Sequence, residues 1–159
     1  MIILGIDPGL TATGYGVIES GTDQLRVMAA GDIRPRRADA LEQRLAFIHR
    51  HLSALMATYR PAIAVLEKIF THHAHVTTAA MMGHARGVAC LAIQEHGVTL
   101  AEYLPTHIKK SLTGRGTASK EQVARMVGQW VQVERSWSAD ATDALALALV
   151  HAHAATQRR

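Results

Sequence analysis

A single cysteine, Cys90, rules out an internal disulfide, and its place in the apolar run 87–93 marks it as a small core side chain in a reducing compartment. No apolar run approaches the roughly 20 residues that span a bilayer, and the opening Ile2-Ile3-Leu4-Gly5 carries no basic n-region. Membrane insertion and secretion are therefore disfavoured, and the cytoplasm is the expected location. Aromatic residues make up only 4%, too few for a stacking platform that holds single-stranded nucleic acid. Net charge is also modest. With 48% hydrophobic residues, it excludes intrinsic disorder. Acids are in the minority, 13 against 17 Lys plus Arg, so the excess of +4 favours an anionic partner without identifying it. The length of 159 residues suits one domain, taken as 1–159, since domains commonly hold about 100 to 200 residues.

The first third reads as three short strands. Residues 2–6 are continuously apolar or glycine and stop at Pro8-Gly9, as in a strand buried on both faces. Residues 14–18 and a stretch within 24–33 follow, separated by the turn chemistry of Ser20-Gly21-Thr22-Asp23. Leu41, Leu45, Ile48, Leu52, Leu55 and Met56 recur at three and four, predicting a helix capped by Asp39, with Arg44, Arg50 and His51 on its other face. A fourth buried strand is expected at 63–66, a long helix from Thr77 or Thr78 to about Glu95, and a fifth strand at 100–104. A short helix over 106–112 leads to a flexible basic loop, 113–117. Ser119-Lys120-Glu121-Gln122 has the form of a capping box for a helix over 120–131, and Ser138 can cap the last helix. This order predicts an α/β fold with a mixed sheet covered by helices.

Four acids stand out. Asp7 follows the first apolar strand directly, and Glu67 follows the fourth in the same way. A bare charge at the end of a core strand is costly unless it binds something positive. Asp140 and Asp143 open the last helix at i and i+3, on one face and about 4.5 Å apart along its axis. Together the four offer hard oxygen ligands suited to Mg²⁺ or Mn²⁺. The plainer explanation stays open at this point: acids in a first helical turn also serve the helix dipole, and an Asp before Pro-Gly also forms turns.

Several other features have ordinary explanations. His72, His73 and His75 are neighbours in a loop with no cysteine beside them, which suits phosphate contact better than zinc. His151 lies roughly 16 Å along the helix from Asp140, too far to share an ion, and is expected at the surface, with His153 peripheral. Met81, Met82 and the small residues Ala79, Ala80, Gly83 and Ala85 suit either the core or packing against a second copy. Trp130 is expected in the core.

Gly5-Ile6-Asp7-Pro8-Gly9-Leu10, then Thr13-Gly14-Tyr15-Gly16-Val17-Ile18, resembles the opening of the bacterial RuvC family of Holliday junction resolvases. Leu66-Glu67-Lys68-Ile69-Phe70 is similar to that family's second acidic motif, and residues 83–89 to its helix segment. Lys109-Lys110-Ser111-Leu112-Thr113-Gly114-Arg115-Gly116, with Ala118, Lys120, Gln122 and Val123, resembles its DNA-binding stretch. Residues 139–146, with Asp140 and Asp143, resemble its last acidic motif. The matches run in family order from residue 2 to about 153.

This resemblance implies an RNase H-like fold, a mixed five-stranded sheet whose first three strands are antiparallel. It further implies a homodimer that cuts two strands of like polarity in a four-way DNA junction, working with a branch-migration helicase complex. By motif, Asp7, Glu67, Asp140 and Asp143 would be the catalytic metal ligands and Phe70 an aromatic inserted at the opened junction. Lys109 and Lys120 would lie near the scissile phosphate, with Lys110 and Arg115 in the same DNA-binding stretch. His84 replaces the family's usual glutamine, and residues 71–75 replace a stretch that commonly holds Lys-Asn, which bears on junction contacts. Two divalent ions per site, Mg²⁺ or Mn²⁺ as a substitute, would suit in-line phosphodiester hydrolysis to 5′-phosphate and 3′-hydroxyl ends, with Asp7 bridging both.

Two other classes share some of these features. Asp7-Pro8-Gly9 with Thr11, Thr13 and Gly14 also resembles the phosphate loop of actin-like ATPases and sugar kinases, but those need two such domains to enclose a nucleotide. Another RNase H-like nuclease, or a non-catalytic nucleic-acid-binding relative, would share the fold; the second would not need all four acids.

Overall fold

The computed structural model describes residues 1–21, 24–68, 76–131 and 137–157, with the side chains of 76–79 and 157 left aside. Strands β1 (Ile2–Asp7), β2 (Thr13–Ser20) and β3 (Leu25–Ile33) precede helix α1 (Leu41–Tyr59). Strand β4 (Ile63–Glu67), helix α2 (Val76–Glu95) and strand β5 (Thr99–Tyr103) follow. Helices α3 (Pro105–Thr113), α4 (Lys120–Val131) and α5 (Ala139–Gln157) close the described chain.

The sheet has the order β3-β2-β1-β4-β5. β1 pairs antiparallel with β2 and β2 antiparallel with β3, whereas β4 joins β1, and β5 joins β4, in parallel. The short Pro8-to-Ala12 turn can only return the chain antiparallel. The parallel partners each arrive through a helix, as parallel pairing requires.

Side chains alternate across the sheet, which separates two cores. Leu4, Ile6, Val17, Ala64 and Leu66 meet Ile48, Leu52 and Met56 of α1 and Ala85, Ala89, Ala92 and Ile93 of α2. Ile3, Ile18 and Val65 face α5, with Ile108, Leu112, Val123, Val127 and Val131 of α3 and α4 beyond it. α5 is buried at every position from Ala144 to Val150, so it is apolar all round and shows little of the two-sided pattern of a surface helix. It lies on the backbone of the sheet itself. A Cβ on Gly5 would stand 1.9 Å from the Ala144 carbonyl oxygen, and one on Gly14 2.0 Å from that of Asp140.

Helix ends mostly follow their local chemistry. At α4 the Ser119 N–H donates to Gln122 Oε1 (2.9 Å) and the Gln122 N–H to Ser119 Oγ (3.3 Å), the expected reciprocal cap. At α5 the Ala141 N–H donates to Ser138 Oγ at 3.1 Å. α1 differs. Its N-cap is Ala40, not Asp39, and the Ala40 N–H is satisfied by Gln43 Oε1 at 3.1 Å. Arg44 also leaves the polar face expected of it and donates to the Leu10 carbonyl at 2.8 Å, tying α1 to the turn after β1. Among the described residues, no helix is long and apolar enough to cross a membrane.

Candidate active site

Parallel register places the first two acids side by side. Ile6 stands opposite Leu66, so Asp7 and Glu67, one residue on, end neighbouring strands at the same edge. Counting in twos from Ile3 and Val65, both of which face α5, puts the two carboxylates on that face as well. Asp140 and Asp143 come down on it from the first turn of α5, where the Asp140 carbonyl approaches Gly14, the antiparallel partner of Asp7.

The four acids share one electrostatic neighbourhood. Burial, then the charges of Asp143, Asp140 and Glu67, pushes the Asp7 carboxyl up to about 7, with Lys120 pulling the other way. Glu67 is likewise raised, by burial and then by Asp143, while Lys120 and Lys109 lower it. Lys120 Nζ donates to Asp143 Oδ2 at 3.0 Å, and that bond raises the lysine's own pKa. An open cleft of about 210 Å³ runs along this side, lined by Glu67, Lys109, Lys120 and Asp143 over an apolar floor that includes Ile108, Val123 and Leu147.

Lys109 and Lys120 thus join the acids. Lys110 and Arg115 are exposed nearby and do not line the cleft. The loop that carries Arg115 is more ordered than its glycines suggest. Thr113 Oγ1 donates to the Lys109 carbonyl at 2.7 Å and accepts from the Arg115 N–H at 3.2 Å, while Gly114 ends α3 in the left-handed region at φ 78°. Phe70, His72, His73 and His75 lie outside the described residues. His84 is exposed on α2. His151, expected at the surface, is partly buried, and its Nδ1 pairs with the Tyr103 hydroxyl at 2.9 Å. His153 packs edge-on against Trp130, itself partly buried against the α5 core.

A hard cation fits the donor chemistry, since four carboxylates repel one another across a partly buried floor, and among the described residues Lys109, Lys120 and Arg34 offset that charge in part. In the arrangement described, no three His, Cys, Asp or Glu side chains among the described residues close into an ion-holding group. Asp143 is turned instead toward Lys120.

Residues 3–151 match the family described as crossover junction endodeoxyribonuclease RuvC. The chain belongs to this family. It is 43% identical over 151 residues to RuvC of Halorhodospira halophila, covering 95% of this chain and 89% of that one. RuvC of Rhodopirellula baltica is 43% identical over 148 residues, 92% of this chain and 83% of that one. Among solved structures, Thermus thermophilus RuvC in complex with a Holliday junction substrate superposes with a TM-score of 0.91 at 31% identity, covering 99% of this chain and 96% of that one. The mixed sheet with three antiparallel strands is the α/β fold of the RuvC nucleases.

Two polar groupings in this RuvC-family chain escaped the one-dimensional pattern. Arg86 of α2 donates to the Glu67 carbonyl at 2.6 Å and pairs with the Glu102 carboxylate, pinning the end of β4 from behind. At the opposite end of the site, Asp32 accepts from Ser138 Oγ at 2.5 Å and from Arg34 at 2.7 Å. Asp32 and Arg34 flank one residue of a strand end, and Arg86 and Glu102 lie on separate elements, so no local spacing announces either group.

Proposed function

We propose that residues 1–159 form one nuclease domain that resolves four-way DNA junctions by hydrolysing two phosphodiester bonds, leaving 5′-phosphate and 3′-hydroxyl ends. The reading rests chiefly on the register that aligns Asp7 with Glu67 beneath the first turn of α5, in a chain of the RuvC family. Asp7, Glu67, Asp140 and Asp143 would hold Mg²⁺ ions, or Mn²⁺ as a substitute, two per site. Bound there, such ions would supply Lewis-acid chemistry, lowering the pKa of an attacking water and stabilising a leaving 3′-oxygen. Lys109 and Lys120, at the rim of the same cleft, orient the phosphate and balance its charge. Lys120 holds Asp143 through one carboxylate oxygen, and a cation on that carboxylate would weaken the bond and release the ammonium toward phosphate.

Lys110 and Arg115 extend the basic track beyond the cleft, and Phe70, three residues past Glu67, would serve as the wedge that opens the crossover. On α2, Met81, His84, Gly87 and Leu91 recur at three and four on the face turned from the core, all exposed. That supports a homodimer with two active sites. The cytoplasm and a branch-migration helicase complex are the matching setting.

Incubating the protein with a synthetic mobile four-way junction and Mg²⁺ or Mn²⁺ tests the reading. Paired nicks in strands of like polarity, at ends that ligase reseals, are expected. Absence of cleavage, or equal nicking of linear duplex, would count against it.

The DNA path has its own test. Binding should weaken with salt as phosphate counterions are released, and Lys109→Ala with Lys120→Ala should flatten the slope of log K against log salt by about 2. An unchanged slope places the path elsewhere.

A further inference from the structure

Asp32, one residue before the end of the edge strand β3, uses its two oxygens separately. Oδ1 accepts the Ser138 hydroxyl, which also caps α5 through the Ala141 N–H, so an edge strand and the helix bearing two of the acids are tied across 106 residues. Oδ2 accepts from Arg34 NH2 at 2.7 Å, and that same nitrogen stands 4.0 Å from Asp140 Oδ2. The Arg34 side chain is 58% exposed, whereas that of Asp32 is only 12% exposed and held by its partners. Arg34 therefore lies between two carboxylates and is held by the one outside the site.

We infer that Asp32 is a positioning residue that sequesters Arg34, keeping Asp140 open to a cation. Arginine forks onto carboxylates readily. Without the Asp32 charge, the nearest acid that the guanidinium can reach is Asp140, and a divalent ion must then displace it. The inference rests on the proposal that the four acids hold cations.

The test separates this from a loss of structure. Asp32→Asn keeps an amide oxygen to accept from Ser138, so the α5 cap survives while the charge is lost. Mn²⁺ binding to the DNA-free protein, followed by the electron paramagnetic resonance of the free ion, should weaken about fivefold in Asp32→Asn, the scale of a partly exposed ion pair. The Mg²⁺ concentration for half-maximal junction cleavage should rise by the same factor, with the rate at saturating Mg²⁺ near wild type. Asp32→Asn with Arg34→Gln should return both midpoints to the wild-type values, and Arg34→Gln alone should bind Mn²⁺ at least as tightly as wild type. Unchanged Mn²⁺ binding in Asp32→Asn, or a weakened site that the second substitution fails to restore, overturns the inference. Wild-type protein that binds no Mn²⁺ overturns instead the four-acid reading beneath it.

Discussion

Asp7→Asn should abolish junction cleavage, by about a thousandfold or more, and at the same time make the metal-free protein more heat-stable at pH 8. The two effects share one cause. Burial and three neighbouring acids raise the Asp7 carboxyl to about 7, so its ionisation in the folded protein is opposed. A raised acid binds its proton more tightly folded than unfolded. Its contribution to stability is complete below about pH 4 and is lost as pH rises through about 7. At pH 8 the ionised group costs on the order of 4 kcal/mol, or about 8 to 16 °C in melting temperature for a chain of this size. Asparagine is neutral throughout and escapes that cost, so its advantage should shrink as pH falls from 8 toward 4. Mg²⁺ should raise the melting temperature of the wild type and do far less for the variant. Junction binding should persist, since the basic residues remain. Nicking near the wild-type rate by purified Asp7→Asn protein, or equal stabilisation of both proteins by Mg²⁺, would falsify the assignment.

Gly14→Ala should damage the site without touching any charged group. Its new Cβ would lie 2.0 Å from the Asp140 carbonyl oxygen, a backbone atom at the start of a helix packed along its length. Neither side can yield cheaply, so α5 or β2 must move by about 1 Å, and a displacement of that size costs on the order of a hundredfold in rate. Overpacking should also lower stability by about 1 to 3 kcal/mol. Gly128→Ala is the control. Nothing lies within 4 Å of a Cβ there, in the middle of α4. It should leave cleavage unchanged and add up to about 1 kcal/mol of stability by stiffening the unfolded chain. Full activity in Gly14→Ala protein would mean that the acids tolerate a shifted α5.

The two predictions draw on different layers of information. Asp7 and Glu67 stand out in the chain because each ends an apolar run, and a strand that must bury both faces leaves its first charge at the sheet edge. Asp140 and Asp143 are found by helical spacing behind Ser138, and the Ser119/Gln122 cap is found by its own four residues. These are local signals, since backbone hydrogen bonding and side-chain alternation act over a few positions. Asp39 shows their limit: a residue suited to capping stands one position outside the helix, whose N-cap is Ala40 with its N–H satisfied by Gln43. What the amino-acid order determined alone was therefore the elements, their buried faces and the four acids.

Packing decided the rest. The pairing of Ile6 with Leu66 aligns Asp7 with Glu67, and a slip of one residue would have turned one carboxylate to the α1 side. Gly5 and Gly14 are required because α5 lies against them. Lys120 meets Asp143, Arg86 meets the Glu67 carbonyl, and Asp32 meets Ser138 only when elements far apart in the chain close on one another. Contacts of that kind depend on the distance between elements, to which no short-range periodicity responds, so they could be seen only in the folded protein.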